Sequence, residues 1–271
     1  MVDITEKEYL KLTDLIKRNY GINLGKEKKI LLVGRLQNIL TENNFKSFTE
    51  YFNHLIADKT GNAVSLLVDK ITTNHTFFMR ELQHFQFFKE KLMPYFVSTI
   101  TNKDLCIWSA GCSSGEEPYT LAMIVDEFLG VHKASWNTKI LATDLSSKVL
   151  ENASKGIYLN EQLATLPDNW KRNYFKKVDT EKNMIIDKIK NEVIFRRMNF
   201  MDPVFLLKKK LHTIFCRNVM IYFDNQTKID LIEKFYNLTE PGGYLFIGLS
   251  ETIGRNESKY KCVAPSVYRK E

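Results

Sequence analysis

The chain has 271 residues, 44% hydrophobic and 26% charged, which allows a sizeable core in one large domain or two modest ones and excludes wholesale disorder. Lys and Arg number 39 against 32 Asp and Glu, a net +7 that fits an acidic partner (nucleic acid, an anionic membrane, an acidic protein surface) and fits a basic protein without one equally well. No apolar run reaches the roughly 18–20 residues of a membrane helix, the charged start MVDITEKEYLKL lacks a secretory segment, and the four Cys and five His form no CxxC, HxxxH or HExxH pattern, so the expectation is a cytoplasmic protein with no metal site.

Residues 1–75 carry a helical grammar. Leu10, Leu12, Leu15 and Ile16 recur at helical spacing, followed by Ile30, Leu31, Leu32, Leu36, Ile39 and Leu40, then Phe45, Phe48, Tyr51, Phe52, Leu55 and Ile56. Gly21, Gly25 and Asn43-Asn44 interrupt the pattern, and Ser47 with Glu50 spells a capping box. A small bundle of about four short helices is expected, joined by a linker or helix over 76–103 to a second domain over 104–271.

In that second region strand and helix patterns alternate. DLCIWSAG (104–111), TKILATDL (138–145), EVIFRRMNF (192–200), HTIFCRNVMIYF (212–223) and GYLFIGLSE (243–251) predict strands. GEEPYTLAMIVDEFLG (115–130), SSKVLENASKG (146–156) and DNQTKIDLIEKFYNLT (224–239) predict helices, the last ended by Pro241-Gly242-Gly243. Such alternation argues for βαβ units on a parallel sheet. The polar segment at about 157–191 breaks it and predicts an antiparallel excursion.

Ligands of open α/β sheets sit at the carboxyl ends of the strands. The first strand ends in Ala110-Gly111-Cys112-Ser113-Ser114-Gly115, small residues that let a ligand approach the backbone. This is not the dinucleotide fingerprint, and Glu116-Glu117 at the helix start would repel a pyrophosphate. Those carboxylates suit a cationic ligand group, although dipole complementation explains one of them equally well. Asp144 ends the second strand, where a carboxylate can accept both ribose hydroxyls or simply cap the next helix. A nucleoside cofactor with positive charge and no pyrophosphate, S-adenosylmethionine (SAM), fits this pattern, and NAD does not. In TTNHTFFMRELQHFQFF (72–88) the polar Asn74, Thr76 and Arg80 stand among aromatics; a helix docking Phe77, Phe78 and Phe85 in the core would account for them without any ligand.

TTNHTFFMR, CIWSAGCSSGEEPYTLAM, ILATDLSSKVLENASKGIY and IFCRNVMIYFD, in this order and spacing, resemble the chemotaxis receptor methyltransferases, the CheR family, over roughly residues 10–268. The resemblance implies a Rossmann-like SAM-dependent methyltransferase domain with a small antiparallel β-subdomain inserted near 157–191, behind an all-helical N-terminal domain. It implies methyl transfer from SAM to glutamate carboxylates on chemoreceptor helices, giving glutamyl methyl esters and S-adenosylhomocysteine (SAH). Position by position it implies cofactor contacts at Asn74, Thr76, Arg80, Glu117, Asp144, Asn199, Phe200, Asn218 and Val219, with Tyr222 near the transferred methyl and Arg80 pairing with a carboxylate of the cofactor or of the substrate. Gly111 stands where alanine is common in the family. The loop VDTEKNMIIDKIKNE lacks the glycines of members that grip a receptor-tail pentapeptide, so independence from such a peptide is expected.

A glutamate substrate is already ionised at neutral pH, so no general base is needed. The chain must hold the two reactants in line and exclude water. The family's acidic coiled-coil substrate gives the basic balance an address: Lys28, Lys29 and Arg35, on a helix with excess positive charge, are the expected receptor contacts of a monomeric enzyme. A nucleic-acid methyltransferase would want an N/D-P-P-Y/F loop or a catalytic Cys pair. Asp202-Pro203 continues with Val204, so that loop is not formed. An adaptor without catalysis is disfavoured by the intact Arg80, Asp144 and Tyr222.

Overall fold

The computed structural model describes residues 2–72 and 74–271, so Thr73 of the first motif lies outside the described residues. Helix α1 (Glu6–Tyr20) opens with a full capping box between Thr5 and Glu8 and closes at Gly21, whose φ of +72° is the left-handed cap that glycine tolerates. Helices α2 (Lys29–Glu42), α3 (Phe48–Ala57) and α4 (Asn62–Ile71) complete the expected bundle. Ser47 accepts from the Glu50 amide as predicted, but the Glu50 carboxylate answers to the amide of Lys46, not Ser47. The buried stripe of α2 is Leu32, Leu36, Ile39 and Leu40. At 100° per residue that stripe turns Ile30 and Leu31 outward, 87% and 51% exposed, although the sequence pattern had enrolled them in the core.

From Leu82 to Thr99 the chain is helical: α5 (Leu82–Phe87), a wider π-type turn over Phe88–Leu92, and α6 (Met93–Thr99). Pro94 has no amide to give the preceding turn, and the helix widens where that bond is missing. The second domain then runs β1 (Ile107–Ala110), α7 (Glu116–Leu129), β2 (Ile140–Asp144), α8 (Ser147–Lys155), β3 (Ile157–Leu159), α9 (Asp168–Tyr174), β4 (Phe175–Lys177), β5 (Lys182–Ile185), α10 (Asp187–Lys190), β6 (Val193–Arg197), β7 (Leu211–Cys216), α11 (Asn225–Leu238), β8 (Thr239–Ile247), β9 (Lys261–Ala264) and β10 (Val267–Arg269).

The main sheet has the order β6-β2-β1-β7-β8-β10-β9. β6, β2, β1, β7 and β8 are parallel, and β10 and β9 close the edge as an antiparallel hairpin. The winding direction reverses between β1 and β7, which opens a crevice at their carboxyl ends. β3, β5 and β4 form the separate antiparallel sheet expected within 157–191. Two details differ from the sequence reading. β8 begins at Thr239 and absorbs Pro241-Gly242-Gly243 through a register shift against β7. A Cβ on Gly243 would stand 3.0 Å from the His212 carbonyl oxygen, so glycine permits that close strand contact. β9, with its burial pattern of mostly exposed residues, carried no alternating signal.

One apolar cluster covers one face of the sheet, where Phe215 and Phe246 stack at 4.3 Å. The other cluster joins the N-terminal bundle to the opposite face, placing Leu36 and Ile16 in one continuous core with Trp108 and Ile214. Among the described residues no helix is long and apolar enough to cross a membrane.

Candidate active site

The crevice holds about 960 Å³ of space, counting the open solvent at its mouth. Within the second domain and the segment before it, it draws residues from five places in the chain. Asn74, Thr76 and Arg80 come from the segment before α5, Gly111–Ser113 and Glu117 from the β1–α7 turn, Asp144 from the end of β2, Asn199 and Phe200 from beyond β6, and Arg217–Val219 with Tyr222 from beyond β7. Every residue for which the resemblance implied a cofactor or catalytic role therefore faces one cavity.

The β1–α7 turn is shaped for close approach. Gly111 sits at φ +85°, and a Cβ there would lie 2.4 Å from Cγ2 of Val219. The amides of Gly111 and Cys112 both donate to the Thr143 carbonyl, locking the turn to β2. The Ser113 amide donates to Asp144 at 2.8 Å, and the Ser113 hydroxyl donates to the Asn74 carbonyl.

Asp144 is not the helix cap: Ser146 caps α8 by accepting from the Val149 amide. The Asp144 carboxylate accepts from the Ser113 amide on one oxygen and the Ser146 amide on the other, with the Leu145 amide acting on it as well, and it lines the cavity. Burial raises its pKa, and these amides oppose the rise.

The glutamate pair divides. Glu116 is fully buried away from the cavity and bonds Ser114 and Gln162, joining α7 to the β-subdomain. Glu117 lines the cavity floor, accepts from the Ser109 hydroxyl at 2.7 Å, and has its pKa raised by burial against the pull of Arg217.

Arg217 is the residue the sequence reading passed over. It is 7% exposed, with Nε 3.4 Å from carboxylate oxygens of both Glu81 and Glu117. Those contacts are ionic and lack hydrogen-bond geometry, because Nε and Nη1 have no hydrogen-bond partner, while Nη2 donates to the Arg80 carbonyl. The guanidinium lies 5.0 Å over the Phe85 ring. A lone cation inside the apolar run IFCRNVMIYF was the available signal. Burial works against ionisation of Glu81, but the His84 ring 3.4 Å away, the bond from Asn218, the charge of Arg217 and the Leu249 amide take its pKa down to about 2.

The segment holding Asn74, Thr76 and Arg80 is not the core-docking helix that 72–88 also allowed. It has no regular secondary structure over 74–77, then turns before α5, with Met79 and Glu81 at positive φ. Phe78 and Phe85 are buried as that reading required, but Phe77 is 39% exposed and faces the cavity. Phe78 packs on Tyr158 at 4.8 Å and Phe175 at 5.8 Å, so the same segment anchors the β-subdomain. The Arg80 guanidinium donates to the His75 carbonyl.

The N-terminal domain supplies part of the wall, which no motif signalled. Tyr20, the last residue of α1, and Ile22, in the α1–α2 connection, line the cavity. Ile22 bridges Phe223, the Asn199 side chain donates to the Asn19 carbonyl, and Lys17 pairs with Asp224 at 2.7 Å. Asn199 also accepts from the Met201 amide, so its side chain ties domains together at the cavity rim, and Phe200 packs edge-on against Trp108. Of the expected receptor contacts, Lys28 stands 5.8 Å over the Tyr222 ring. Lys29 pairs with Glu6, and Arg35 donates to the Ile71 and Thr72 carbonyls, fastening α2 to the end of α4. Among the described residues no group of three or more His, Cys, Asp or Glu is arranged to hold a metal ion.

The residues present fit SAM. A carboxylate for the ribose, a second carboxylate for an ammonium and a buried cation with a bare donor for a carboxylate share one cavity with no pyrophosphate cradle.

Residues 7–72 match the family profile described as "CheR methyltransferase, all-alpha domain", and residues 74–269 match "CheR methyltransferase, SAM binding domain". A chemotaxis protein methyltransferase of Borreliella burgdorferi is 42% identical, covering 99% of this chain and 96% of that one. The chemotaxis protein methyltransferase Cher2 of Pseudomonas putida is 34% identical over 92% of this chain and 91% of its own, and that of Escherichia coli K12 is 30% identical over 98% and 91%. With both profiles matched and the first of these relatives aligned over nearly its whole length, the chain belongs to the CheR methyltransferase family.

Proposed function

We propose that this protein esterifies glutamate side chains of a chemoreceptor's cytoplasmic coiled coil, using SAM as methyl donor. The observation that carries the reading is one cavity lined by Asp144, Glu117 and Arg217, in which Glu117 lies 3.4 Å from Nε of Arg217 and Nη1 of that guanidinium has no hydrogen-bond partner. That layout complements the zwitterionic and ribose ends of SAM. When bound, SAM supplies an electrophilic methyl on a sulfonium.

The chain's own residues hold and shield. Asp144 accepts from the ribose hydroxyls, Glu117 from the ammonium, and Arg217 donates to the cofactor carboxylate. Arg80 is then left to orient the incoming glutamate, and Tyr222, in the turn beyond β7, orients that carboxylate or the methyl with its hydroxyl. Asn74, Thr76, Asn199, Phe200, Asn218 and Val219 set the shape of the cofactor's seat. Phe77, Ile22 and Tyr20 keep water out of it. An ionised carboxylate needs no base, and catalysis consists of alignment.

The receptor approaches over the start of α2. Lys28 lies beside Tyr222, and the exposed Lys26, Ile30 and Leu31 share that end of the helix. Lys29 adds charge, and Arg35 acts by holding the helix in place. Attraction of this kind weakens with salt. The β4–β5 turn is closed by Asp179, which accepts from the Glu181 and Lys182 amides, so it is built without glycine and supports methylation that does not depend on a receptor-tail peptide. Titration of a tail peptide tests that point: no binding is expected, and micromolar affinity contradicts it.

Incubation of a receptor methylation-region fragment with SAM and the enzyme, followed by peptide mass spectrometry, tests the whole reading. One added CH₂ on glutamates is expected. Modification confined to Lys or Arg contradicts it.

A further inference from the structure

β7 ends at Cys216, and the chain must leave the sheet at once to bring Asn218 and Tyr222 to the cavity. It does so with Asn218 at φ +57°. The amides of Asn218, Met220 and Ile221 then point inward without strand partners, and buried amides left bare are costly. One side chain collects them. Oε2 of Glu251 accepts from the Asn218 amide at 2.9 Å and from the Gly248 amide at 2.5 Å, and Oε1 accepts from the Ile221 amide at 3.1 Å. The Met220 amide acts on the same carboxylate, which is 7% exposed.

We infer that Glu251 is a positioning residue for methyl transfer: its buried carboxylate fixes the Asn218–Tyr222 turn and so sets where Tyr222 meets the reacting groups. The inference rests on the reading of Tyr222 given above. Both carboxylate oxygens are required as acceptors, because amides press on each. A glutamine would turn its own N–H₂ against an amide at one end or the other. The neighbouring residue follows from the same packing. A Cβ at Gly248 would stand 2.5 Å from Nδ2 of Asn218 and 2.9 Å from Oε2 of Glu251, so position 248 has room only for glycine. The turn is tied a second time where Asn218 Nδ2 and the Leu249 amide both donate to Oε1 of Glu81, each at 3.1 Å.

The test is Glu251→Gln in the full chain, with kcat measured at saturating SAM and receptor and SAH affinity and stoichiometry measured by calorimetry. The expected result is one SAH per chain, a several-fold weaker Kd through Asn218, and kcat lowered at least tenfold. In the double variant with Tyr222→Phe, the kcat loss should not exceed the larger single loss, because one variant has already removed what the other acts through. If Glu251→Gln does not fold, Gly248→Ala displaces the same turn and is read the same way. A folded variant with unchanged kcat and Kd overturns the inference, and so do losses that multiply with those of Tyr222→Phe. If Tyr222→Phe alone keeps normal kcat, the reading of Tyr222 fails, and Glu251 is then judged on the SAH Kd: weakening sustains its hold on the turn, and no change overturns it.

Discussion

The amide of Asn23, in the N-terminal helical domain, donates to the carbonyl of Tyr222, in the methyltransferase domain, at 2.8 Å. The helical domain therefore reaches past its own core to hold the residue nearest the proposed chemistry. The Ile22–Phe223 bridge and the Lys17–Asp224 ion pair flank that bond on the same strap. The start of α2, where we propose that the receptor docks, is thus connected to Tyr222 through one short segment.

Tyr222→Phe should lower kcat about tenfold or more and leave SAH affinity within about twofold, because the hydroxyl acts on alignment and not on the cofactor's seat. Steady-state kinetics and calorimetry check this. A normal kcat removes Tyr222 from the mechanism.

Arg217→Ala should destabilise the fold by about 3–5 kcal/mol, since it leaves Glu81 and Glu117 as buried carboxylates without their cation. Arg217→Lys keeps the charge, loses the planar fork, and should raise KM for SAM more than it lowers Tm. Thermal melts and initial rates on the two variants separate the effects.

Cofactor affinity should weaken on acidification earlier than an ordinary carboxylate would allow. Burial raises the pKa of both Asp144 and Glu117, so they begin to lose charge above the usual carboxylate range. The sign for stability is opposite. A carboxylate whose folded pKa is raised binds protons more readily in the folded state, so the free enzyme gains from these groups as pH falls through that window. Glu81, held at about 2, contributes stability fully above its unfolded value of about 4.5 and loses it as pH falls towards 2. SAH calorimetry alongside melting of the free protein from pH 7 to 5 should show weakening affinity without a matching fall in Tm from these groups.

Lys28→Glu should reduce methylation of receptor at low salt and have little effect at high salt, where steering is screened. Arg35→Ala should instead lower stability by about 1 kcal/mol, through the lost bond to the Ile71 carbonyl, with receptor KM nearly unchanged. Activity that is flat between low and high salt in the wild type contradicts the steering account.

Gly111→Ala should cost about 1–2 kcal/mol for the left-handed backbone alone and more for the clash with Val219. Pairing it with Val219→Ala should recover the steric part and not the backbone part. Denaturant melts of the three variants check the division.

The cavity wall from the second domain was legible in the chain because each of its motifs ends a strand, where small residues and lone charges interrupt apolar runs. The antiparallel insertion showed itself as a break in alternation. Other features depended on distance in sequence. Tyr20 and Ile22 line the cavity, Ile22 through its bridge to Phe223 about 200 residues away, and nothing local marks them. Arg35 looks like any helix-surface cation until the carbonyls of Ile71 and Thr72 are folded beside it. Ile30 and Leu31 obey the apolar pattern but fall outside the stripe that Leu32 and Leu36 select. Asp144 kept two readings in the sequence, and the position of Ser146 as the cap removes the capping one.

The most direct test is transfer of labelled methyl from SAM to receptor-containing membranes, followed by mild alkali. Label released as methanol is the predicted result and identifies a carboxyl methyl ester. Label that stays on protein through alkali would mean a different acceptor chemistry and would contradict the account of Arg80, Tyr222 and an ionised glutamate as the reacting set.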